Sequence, residues 1–232
     1  MDGEAYLCDI TRQGALRIAG ADAQRFMSVM YAGSMEACAH LGEMSQGAFL
    51  TSEAEVIDIV SVLRTGNDEF LVTGSTDNRA ELLEWLNAHA ELSDDAGRVF
   101  PALSVEDQSA HLGILLMAGQ GARRAHEDLL QACAGQLFFL EHEFDDAAYG
   151  IFRVPSWVLF VPVNLAPEIG DFLQQYPEFY VLDEEELVEL QQEQDAYISG
   201  IHEASYANAN DEVFAPFIRD GDDFVGARAL HR

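Results

Sequence analysis

The sequence predicts an α+β protein built from a tandem, ferredoxin-like duplication. Three observations support this fold class: a β-hairpin followed by an amphipathic helix in the first half of the chain, a similar layout in the second half, and a pair of alike strand–glycine–helix segments, one in each half. With 232 residues and 49% hydrophobic composition, the chain can bury a sizeable core. We therefore predict one domain over residues 1–232, with two pseudo-repeats of roughly 1–95 and 96–232.

The hairpin and its helix occupy residues 56–89. Residues 56–63 are β-branched and apolar almost throughout, residues 65–68 (Thr-Gly-Asn-Asp) supply turn chemistry, and residues 69–72 form a second short strand. Residues 74–77 (Gly-Ser-Thr-Asp) break that strand and offer oxygen side chains that can cap a helix. The apolar stripe of the predicted helix consists of Leu82, Leu83 and Leu86.

Apolar patterning and turn residues predict the remaining elements in the same way. Strands are predicted at residues 5–10, 15–19, 48–51, 99–105, 114–117, 138–144 and 152–161. Helices are predicted around Phe26, Met27 and Met30, over residues 167–176, along the stripe Leu182, Leu187 and Leu190, and near the end of the chain. Each half thus has a strand–helix–strand–strand–helix layout, and the two copies suggest an α+β protein with a tandem duplication.

The internal repeat joins GALRIAGADAQRFM, residues 14–27, to GILLMAGQGARRAH, residues 113–126. The two segments superpose on Gly20 and Gly119, which are 99 residues apart, and each reads as strand, Ala-Gly, small residues and helix. The second segment is not a phosphate loop, because it lacks the Lys and Ser or Thr that such a loop needs. The repeat supports a duplicated fold.

Asp58 does not fit the strand around it. Side chains two residues apart share a strand face, so Asp58 is expected beside Val56, Val60 and Val62. A carboxylate among valines is costly to bury unless it is paired or hydrogen-bonded. One interpretation places Asp58 near a strand end, hydrated or tied to a backbone amide. The other makes it a polar anchor for a ligand that lies over the sheet.

The charge balance excludes some classes of function. The chain has 41 acidic and 12 basic residues, a formal net charge of −29, and every basic residue is Arg. Such a surface repels nucleic acid and anionic membranes, so neither is an expected partner, and it fits either a saline habitat or a basic partner. The absence of Lys excludes Schiff-base chemistry on a lysine side chain.

The sequence shows no pattern typical of a targeting segment or of a metal site. No apolar run reaches the length of a membrane span and the N-terminus has no basic flank, so we expect a cytoplasmic protein. Cys8, Cys38 and Cys133 are too few and too scattered for a disulfide framework or a metal cluster. His142 lacks a second ligand at metal spacing, and no Ser–His or Cys–His triad is recognisable. No metal site is predicted.

Several short motifs follow one another along nearly the whole chain. They are LCD at residues 7–9, GALRIAGADA at 14–23 with Phe26, VID at 56–58, DEFLV at 68–72, WL at 85–86 with HA at 89–90, LFVP at 159–162, Glu193, Gly200, and DFVGARAL at 223–230. Their order and spacing resemble those of the folate-binding region of glycine-cleavage T-protein, the aminomethyltransferase. Relatives of that protein include demethylases and a folate-binding factor linked to iron–sulfur protein maintenance.

The resemblance implies an aminomethyltransferase-type folate-binding domain, whose duplicated α+β core holds tetrahydrofolate in a central channel. In T-protein, an aspartate of a Val-Ile-Asp-Asp run lies against the reactive pterin nitrogens and assists one-carbon transfer. Here the first aspartate of that run matches Asp58 and the second is Ile59. Glu193 matches a glutamate that contacts the pterin ring, and we expect Tyr197 to hold the ring with it.

The sequence also departs from the family pattern. The run Gly-Tyr-Thr-Gly-Glu-Asp-Gly is replaced by GIFRVPS at residues 150–156, and a family asparagine before the first helix is replaced by Gly74. The motif of the iron–sulfur factor, Lys-Gly-Cys-Tyr-x-Gly-Gln-Glu, loses its Lys and Cys at residues 195–200. We expect the C-terminal barrel domain of T-protein to have no counterpart here. These differences argue against aminomethyl-lipoyl chemistry as such.

The predicted function is a tetrahydrofolate-dependent methyl or other one-carbon transferase in a single-domain form. Asp58 would orient or protonate the cofactor near its reactive nitrogen, and Glu193 and Tyr197 would hold the pterin. The methyl donor is unknown, and we expect a partner protein, a corrinoid-carrying or substrate-activating subunit, to close the site. The alternatives are a non-catalytic folate-binding, assembly or regulatory protein, and a degenerate fold without a folate site.

Overall fold

The computed structural model describes residues 4–132, 140–144, 156–193 and 206–230, and it has a mixed α+β architecture. The chain forms two compact units, each assembled from two separate segments. Unit 1 consists of Met1–Arg12 and Ser109–Ser199, and unit 2 consists of Gln13–Gln108 and Gly200–Arg232. The α+β fold class is confirmed, whereas the single domain with pseudo-repeats 1–95 and 96–232 stays a prediction.

Strands and helices are interspersed along the chain. The strands are β1 (Ala5–Asp9), β2 (Leu16–Ala19), β3 (Met44–Leu50), β4 (Glu55–Gly66), β5 (Glu69–Thr73), β6 (Ser93–Asp94), β7 (Gly97–Arg98), β8 (Ser104–Asp107), β9 (Leu112–Ala118), β10 (Leu140–Phe144), β11 (Ser156–Pro162), β12 (Phe179–Leu182) and β13 (Ala207–Asn208). The helices are α1 (Ala23–Met30), α2 (Arg79–Ala90), α3 (Ala122–Ala132), α4 (Ala166–Leu173), α5 (Glu184–Glu193) and α6 (Ala227–Leu230). Short 3₁₀ segments lie at Thr11–Gln13, Glu36–Cys38 and Glu212–Phe217.

The sheet of unit 2 has the strand order β13-β4-β5-β2-β8, and β3 pairs with β4 beside this path. All of these pairings are antiparallel. The tight connection between β4 and β5 is the turn that residues 65–68 predict. Helices α1 and α2 bury their apolar faces against this sheet, because the hydrophobic side chains of both layers then leave water. The centre of this core contains Phe26, Met27, Val60, Val62, Phe70 and Leu86.

The sheet of unit 1 has the order β10-β11-β9-β1-β12. Its central strand, β9, is apolar in almost every position and is buried along nearly its whole length, as expected of a strand with neighbours on both sides. Strand β12 runs parallel to β1, and the other neighbours are antiparallel. Helices α3 and α4 supply the rest of this core. Its large side chains include Leu7, Leu115, Met117, Leu129, Trp157, Leu159, Ile169 and Leu173.

The two aligned glycines of the sequence repeat have the same local geometry. Gly20 has φ +117° and Gly119 has φ +110°, and each follows a strand and precedes a helix. A Cβ atom would lie 2.1 Å from the carbonyl oxygen of Ala102 at Gly20, and 2.3 Å from that of Glu4 at Gly119. Each position therefore requires glycine, both for its φ and for the close approach of a neighbouring backbone.

Two local predictions need correction. The strand expected at residues 99–105 is displaced to Ser104–Asp107, because Phe100 turns inward and packs edge-to-face on Phe26 with 5.1 Å between ring centroids. Leu182 belongs to β12 rather than to the helical stripe. Asp183 and Glu186 exchange hydrogen bonds between side chain and backbone N–H, in both directions, and this capping box starts α5 at Glu184.

Some predicted features fall on parts of the chain that the structure does not describe. Cys133, Tyr197 and Gly200 lie outside the described residues, and for His142 and Glu193 the description covers the backbone alone. Within the described ranges, every helix is too short or too polar to cross a membrane.

Candidate functional site

Asp58 lies in β4 and is 3% exposed. Its neighbours Val60 and Val62 are buried in the core beneath α1 and α2. The pairing of β3 with β4 slips at this point, since Phe49 pairs with Asp58 and Leu50 pairs with Val56. Val56 consequently packs in a different hydrophobic cluster from Val60 and Val62. The prediction that Val56 shares a strand face with Asp58 was therefore wrong.

The Asp58 carboxylate is bound by the loop between β5 and α2. Its Oδ2 accepts a hydrogen bond from the backbone N–H of Ser75, with 2.9 Å between the heavy atoms. The side chain of Asn78 and the backbone of Ile59 also hydrogen-bond to it. Asp58 is therefore held by three donors of its own chain, and it joins a central strand to the start of the next helix.

Asn78 is a partner of Asp58 that the sequence did not suggest. Residues 74–77 were expected to cap α2, but the residue at the N-cap position is Asn78, and its side chain makes no capping hydrogen bond. That side chain is buried and is directed to Asp58 instead. A buried carboxylate needs donors, so an amide directly before the helix that follows the hairpin was the available clue.

Burial raises the pKa of Asp58 to about 7 from its usual 3.8. The hydrogen bonds from Ser75, Asn78 and Ile59 act in the opposite direction, because they stabilise the ionised form. Loss of hydration therefore outweighs the donors. Near neutral pH the group is present in both its protonated and its ionised form, which is the condition that a general acid–base requires.

The acceptor capacity of Asp58 is almost used. An ionised carboxylate offers about four lone-pair positions, and three donors of the chain already contact this one. Little acceptor capacity is therefore left at Asp58 for a ligand while its internal partners stay in place.

Comparison with known families identifies the chain. The sequence model described as the GCVT N-terminal domain matches residues 2–151. The chain belongs to the GCVT N-terminal domain family. The match includes Asp58, Asn78 and the loop between them, whereas Glu193 and Tyr197 lie beyond its end. No curated protein matches the sequence.

The fold of this GCVT-family chain is similar to that of a solved aminomethyltransferase. The crystal structure of the glycine cleavage system aminomethyltransferase T from Bartonella henselae superposes with a TM-score of 0.72 and 15% sequence identity. The superposition covers 99% of this chain and 63% of that one, so the chain spans less than two thirds of the length of its structural relative. The heterotetrameric sarcosine oxidase from Corynebacterium sp. U-96 is less similar, with a TM-score of 0.48, 15% identity, and coverage of 76% of this chain and 87% of that chain.

The other two predicted site residues of this GCVT-family chain stay predictions. Glu193 is the last residue of α5, and Tyr197 follows it outside the described residues. Unit 2 contains Asp58, Ser75 and Asn78, and unit 1 contains Glu193 and Tyr197. In the part of the chain that the structure describes, no three His, Cys, Asp or Glu side chains group in a way that could hold a metal ion.

Proposed function

We propose that this chain binds tetrahydrofolate and takes part in methyl or other one-carbon transfer, as a relative of glycine-cleavage T-protein that works with a partner subunit. Membership of the GCVT family and the likeness in fold to an aminomethyltransferase support the proposal. The observation that carries it is the state of Asp58, a buried carboxyl group among apolar neighbours that accepts a hydrogen bond from the loop before α2.

The chemistry of Asp58 fits such a cofactor. Bound tetrahydrofolate would supply the N5 and N10 nitrogens, which carry the one-carbon unit. Because the pKa of Asp58 is about 7, its carboxyl group can accept a hydrogen bond from an N–H group or give a proton to a nitrogen lone pair. In the proposed role, Asp58 orients or protonates one nitrogen of the cofactor.

The rest of the pterin needs other partners. The ring carries adjacent N–H donors that suit a bidentate carboxylate, and Asp58 has too few free positions to serve them. We assign this contact to Glu193 and a second contact to Tyr197, following the resemblance in sequence. Asp58 and Glu193 would then have different tasks, proton transfer for the first and anchoring for the second.

A partner protein is part of the proposal because methyl transfer to folate needs a methyl donor from outside the described site. A corrinoid-carrying or substrate-activating subunit would supply the methyl donor. The surface of this chain, with a formal net charge of −29, favours a basic face on that subunit, since complementary charge accelerates association and excludes other partners.

A second candidate function is a folate-binding protein without catalytic activity, with an assembly or regulatory role. One specific observation favours it. Asp58 is 3% exposed and already bound to three donors of its own chain, so the group has a structural role whether or not a ligand is present. Such a protein would keep the binding residues and use Asp58 only to hold the loop before α2.

The test is calorimetric titration of the purified chain with tetrahydrofolate and methyl-tetrahydrofolate at pH 6, 7 and 8, at low and high salt. We expect a Kd in the micromolar range, about 8 kcal/mol, that depends on pH through Asp58. Asp58→Asn should bind without this pH dependence. Asp95→Asn is the control, because Asp95 is a fully exposed carboxylate in the turn between β6 and β7.

The two candidate functions differ in turnover. With a candidate partner and its methyl donor added, a transferase loses turnover in the Asp58→Asn variant while binding survives, whereas a binding protein has no turnover to lose. Absence of binding to either folate at both salt concentrations would rule out both functions for the isolated chain.

We further propose that the fold is a tandem ferredoxin-like duplication. In unit 2 the chain order is β2, α1, β4, β5, α2 and β8. The four strands lie in the sheet in the order β8-β2-β5-β4, which is the strand order of a ferredoxin-like fold. In unit 1, the elements β9, α3, β10, β11 and α4 repeat the sequence of strand and helix types. The equivalent glycines Gly20 and Gly119 support a common origin of the two units.

A further inference from the structure

We infer that Gly74 and Asn78 are the positioning residues of Asp58: Gly74 leaves the space that the carboxylate occupies, and the buried amide of Asn78 fixes its orientation. The consequence for ligand binding rests on the proposed function, whereas the consequence for Asp58 itself does not.

The space at Gly74 is closed to any larger residue. A Cβ atom at this position would lie 2.3 Å from Oδ2 of Asp58 and 2.8 Å from Cγ1 of Val60. Real Cβ atoms do not approach other atoms this closely, so a side chain at residue 74 and the observed direction of Asp58 exclude each other. The φ of Gly74 is not in the left-handed region, so the reason for glycine here is the carboxylate and not the backbone conformation.

The second contribution comes from Asn78. It is 8% exposed, although it stands at the start of a helix, where an asparagine normally caps the first turn from the surface. Its side chain binds Asp58 and makes no cap. Asn78 therefore lacks the capping hydrogen bond that would stabilise the first turn of α2, and it hydrogen-bonds to the Asp58 carboxylate instead. This choice of partner indicates a positioning role.

Charged groups on the surrounding elements do not explain the state of Asp58. Strand β3 carries no ionisable side chain. Glu69 on β5 is paired with Arg17, and Asp77 before α2 is exposed. Arg79 in the first turn of α2 donates to the carbonyl oxygen of Gln13, 3.1 Å away. Burial raises the pKa of Asp58 and the three hydrogen bonds limit that rise, so its donors decide how far the pKa moves.

The experiment measures the titration of the Asp58 carboxyl carbon by NMR in the full chain, with its resonance assigned by its loss in Asp58→Asn. Removal of the Asn78 amide takes away a donor that stabilises the ionised form, so Asn78→Ala should move the midpoint upward by about one pH unit. The matched control is Asn87→Ala. Asn87 lies on the same helix, and its side chain donates to the carbonyl oxygen of Leu83. The Asn87→Ala variant should leave the midpoint of the Asp58 titration unchanged.

The role of Gly74 is tested by a double-mutant cycle in which stability is measured by urea unfolding. The unfolding midpoint can still be measured for a destabilised variant. Gly74→Ala should lower the unfolding midpoint, and it should lower it less in an Asp58→Ala background, where the closest atom is gone. The control is Gly170→Ala. Gly170 lies in α4, and the nearest atom to a Cβ there is 4.0 Å away. Equal losses for Gly74→Ala in both backgrounds, or an unmoved midpoint in Asn78→Ala, would overturn the inference.

Failure of the proposed function gives a different result. If Asn78→Ala moves the Asp58 midpoint and the wild-type chain binds no folate, the positioning role stands and the folate site falls. If tetrahydrofolate binds in a manner that depends on Asp58, but the Asn78 and Gly74 variants leave its titration and stability unchanged, the folate site stands and the positioning role is overturned.

Discussion

The backbone N–H of Ser75 donates to Oδ2 of Asp58 across 2.9 Å, so a buried carboxylate in β4 holds the loop that leads into α2. The interaction joins two elements that are separated by a whole strand of the hairpin. It also explains why a polar residue is tolerated in a core of valines: the carboxylate has partners, as buried polar groups generally do.

The pH dependence of stability should report this carboxylate. Its pKa is about 7 in the folded chain against a usual 3.8, so the folded state holds the proton more tightly than the unfolded state. The resulting stabilisation is complete below about pH 4, falls as the pH rises to about 7, and is then constant. The total change is on the order of 4 kcal/mol, from about 1.4 kcal/mol per pH unit.

Urea unfolding of the wild type and of Asp58→Asn between pH 4 and pH 8 isolates this effect, because other titrating groups are common to both. We expect the stability of the wild type relative to the variant to decline over that range. A constant difference would show that Asp58 titrates alike in the folded and unfolded states.

The two repeat glycines should be equally intolerant of substitution. Gly20→Ala and Gly119→Ala combine an unfavourable φ with a carbonyl oxygen 2.1 or 2.3 Å from the new Cβ atom. Gly97 is the matched control, since it has the same φ as Gly20, +117°, and no atom within 4 Å. We expect Gly97→Ala to cost about 1–2 kcal/mol from φ alone. Denaturant unfolding should show larger losses for the other two, and equal losses for all three would contradict the close approach.

Gly47 lies against both a neighbouring backbone and a buried tyrosine. A Cβ atom at Gly47 would lie 2.5 Å from Cα of Gly33 and 2.7 Å from the hydroxyl of Tyr31, which is itself 3.1 Å from the Ser45 hydroxyl. Gly47→Ala should therefore destabilise the chain by about 1–3 kcal/mol through overpacking. Gly47→Ala in a Tyr31→Phe background tests the cause by thermal unfolding, because removal of the hydroxyl relieves part of the strain. A loss that is the same in both backgrounds would assign the effect to the backbone.

Arg219 fastens the C-terminal segment of unit 2 to the end of α1. Its guanidinium donates to the carbonyl oxygens of Ser28 at 2.7 Å and Gly33 at 3.0 Å, and also to that of Tyr31. Arg219→Ala would leave carbonyl oxygens without donors, so we expect a loss of about 2–3 kcal/mol in urea unfolding. Arg124→Ala is the control. Arg124 is largely exposed, and its Nε lies 3.9 Å from Oδ2 of Asp128. Exposed ion pairs of this kind contribute little to the free energy of unfolding. Similar losses in both variants would contradict the role of Arg219.

The main elements could be predicted from sequence because their patterns are local. The β4–β5 hairpin, α1 and α2 follow from β-branched runs, turn residues and apolar stripes, and each was found where it was expected. The misfit of Asp58 was also visible in the sequence, since it is the carboxylate in a run of valines and isoleucines. Its partners could not be predicted, because Ser75 and Asn78 come near it only when the hairpin and helix have folded.

Residue types and short-range spacing were enough to predict the α+β class, the hairpin and its helices, the exclusion of lysine chemistry, and the unusual character of Asp58. The order of the strands, the assembly of each unit from two separate segments, and the direction of Asn78 toward a carboxylate rather than a helix cap became visible only in the folded chain. These features depend on residues that are distant in sequence and become neighbours only when apolar surfaces are buried together.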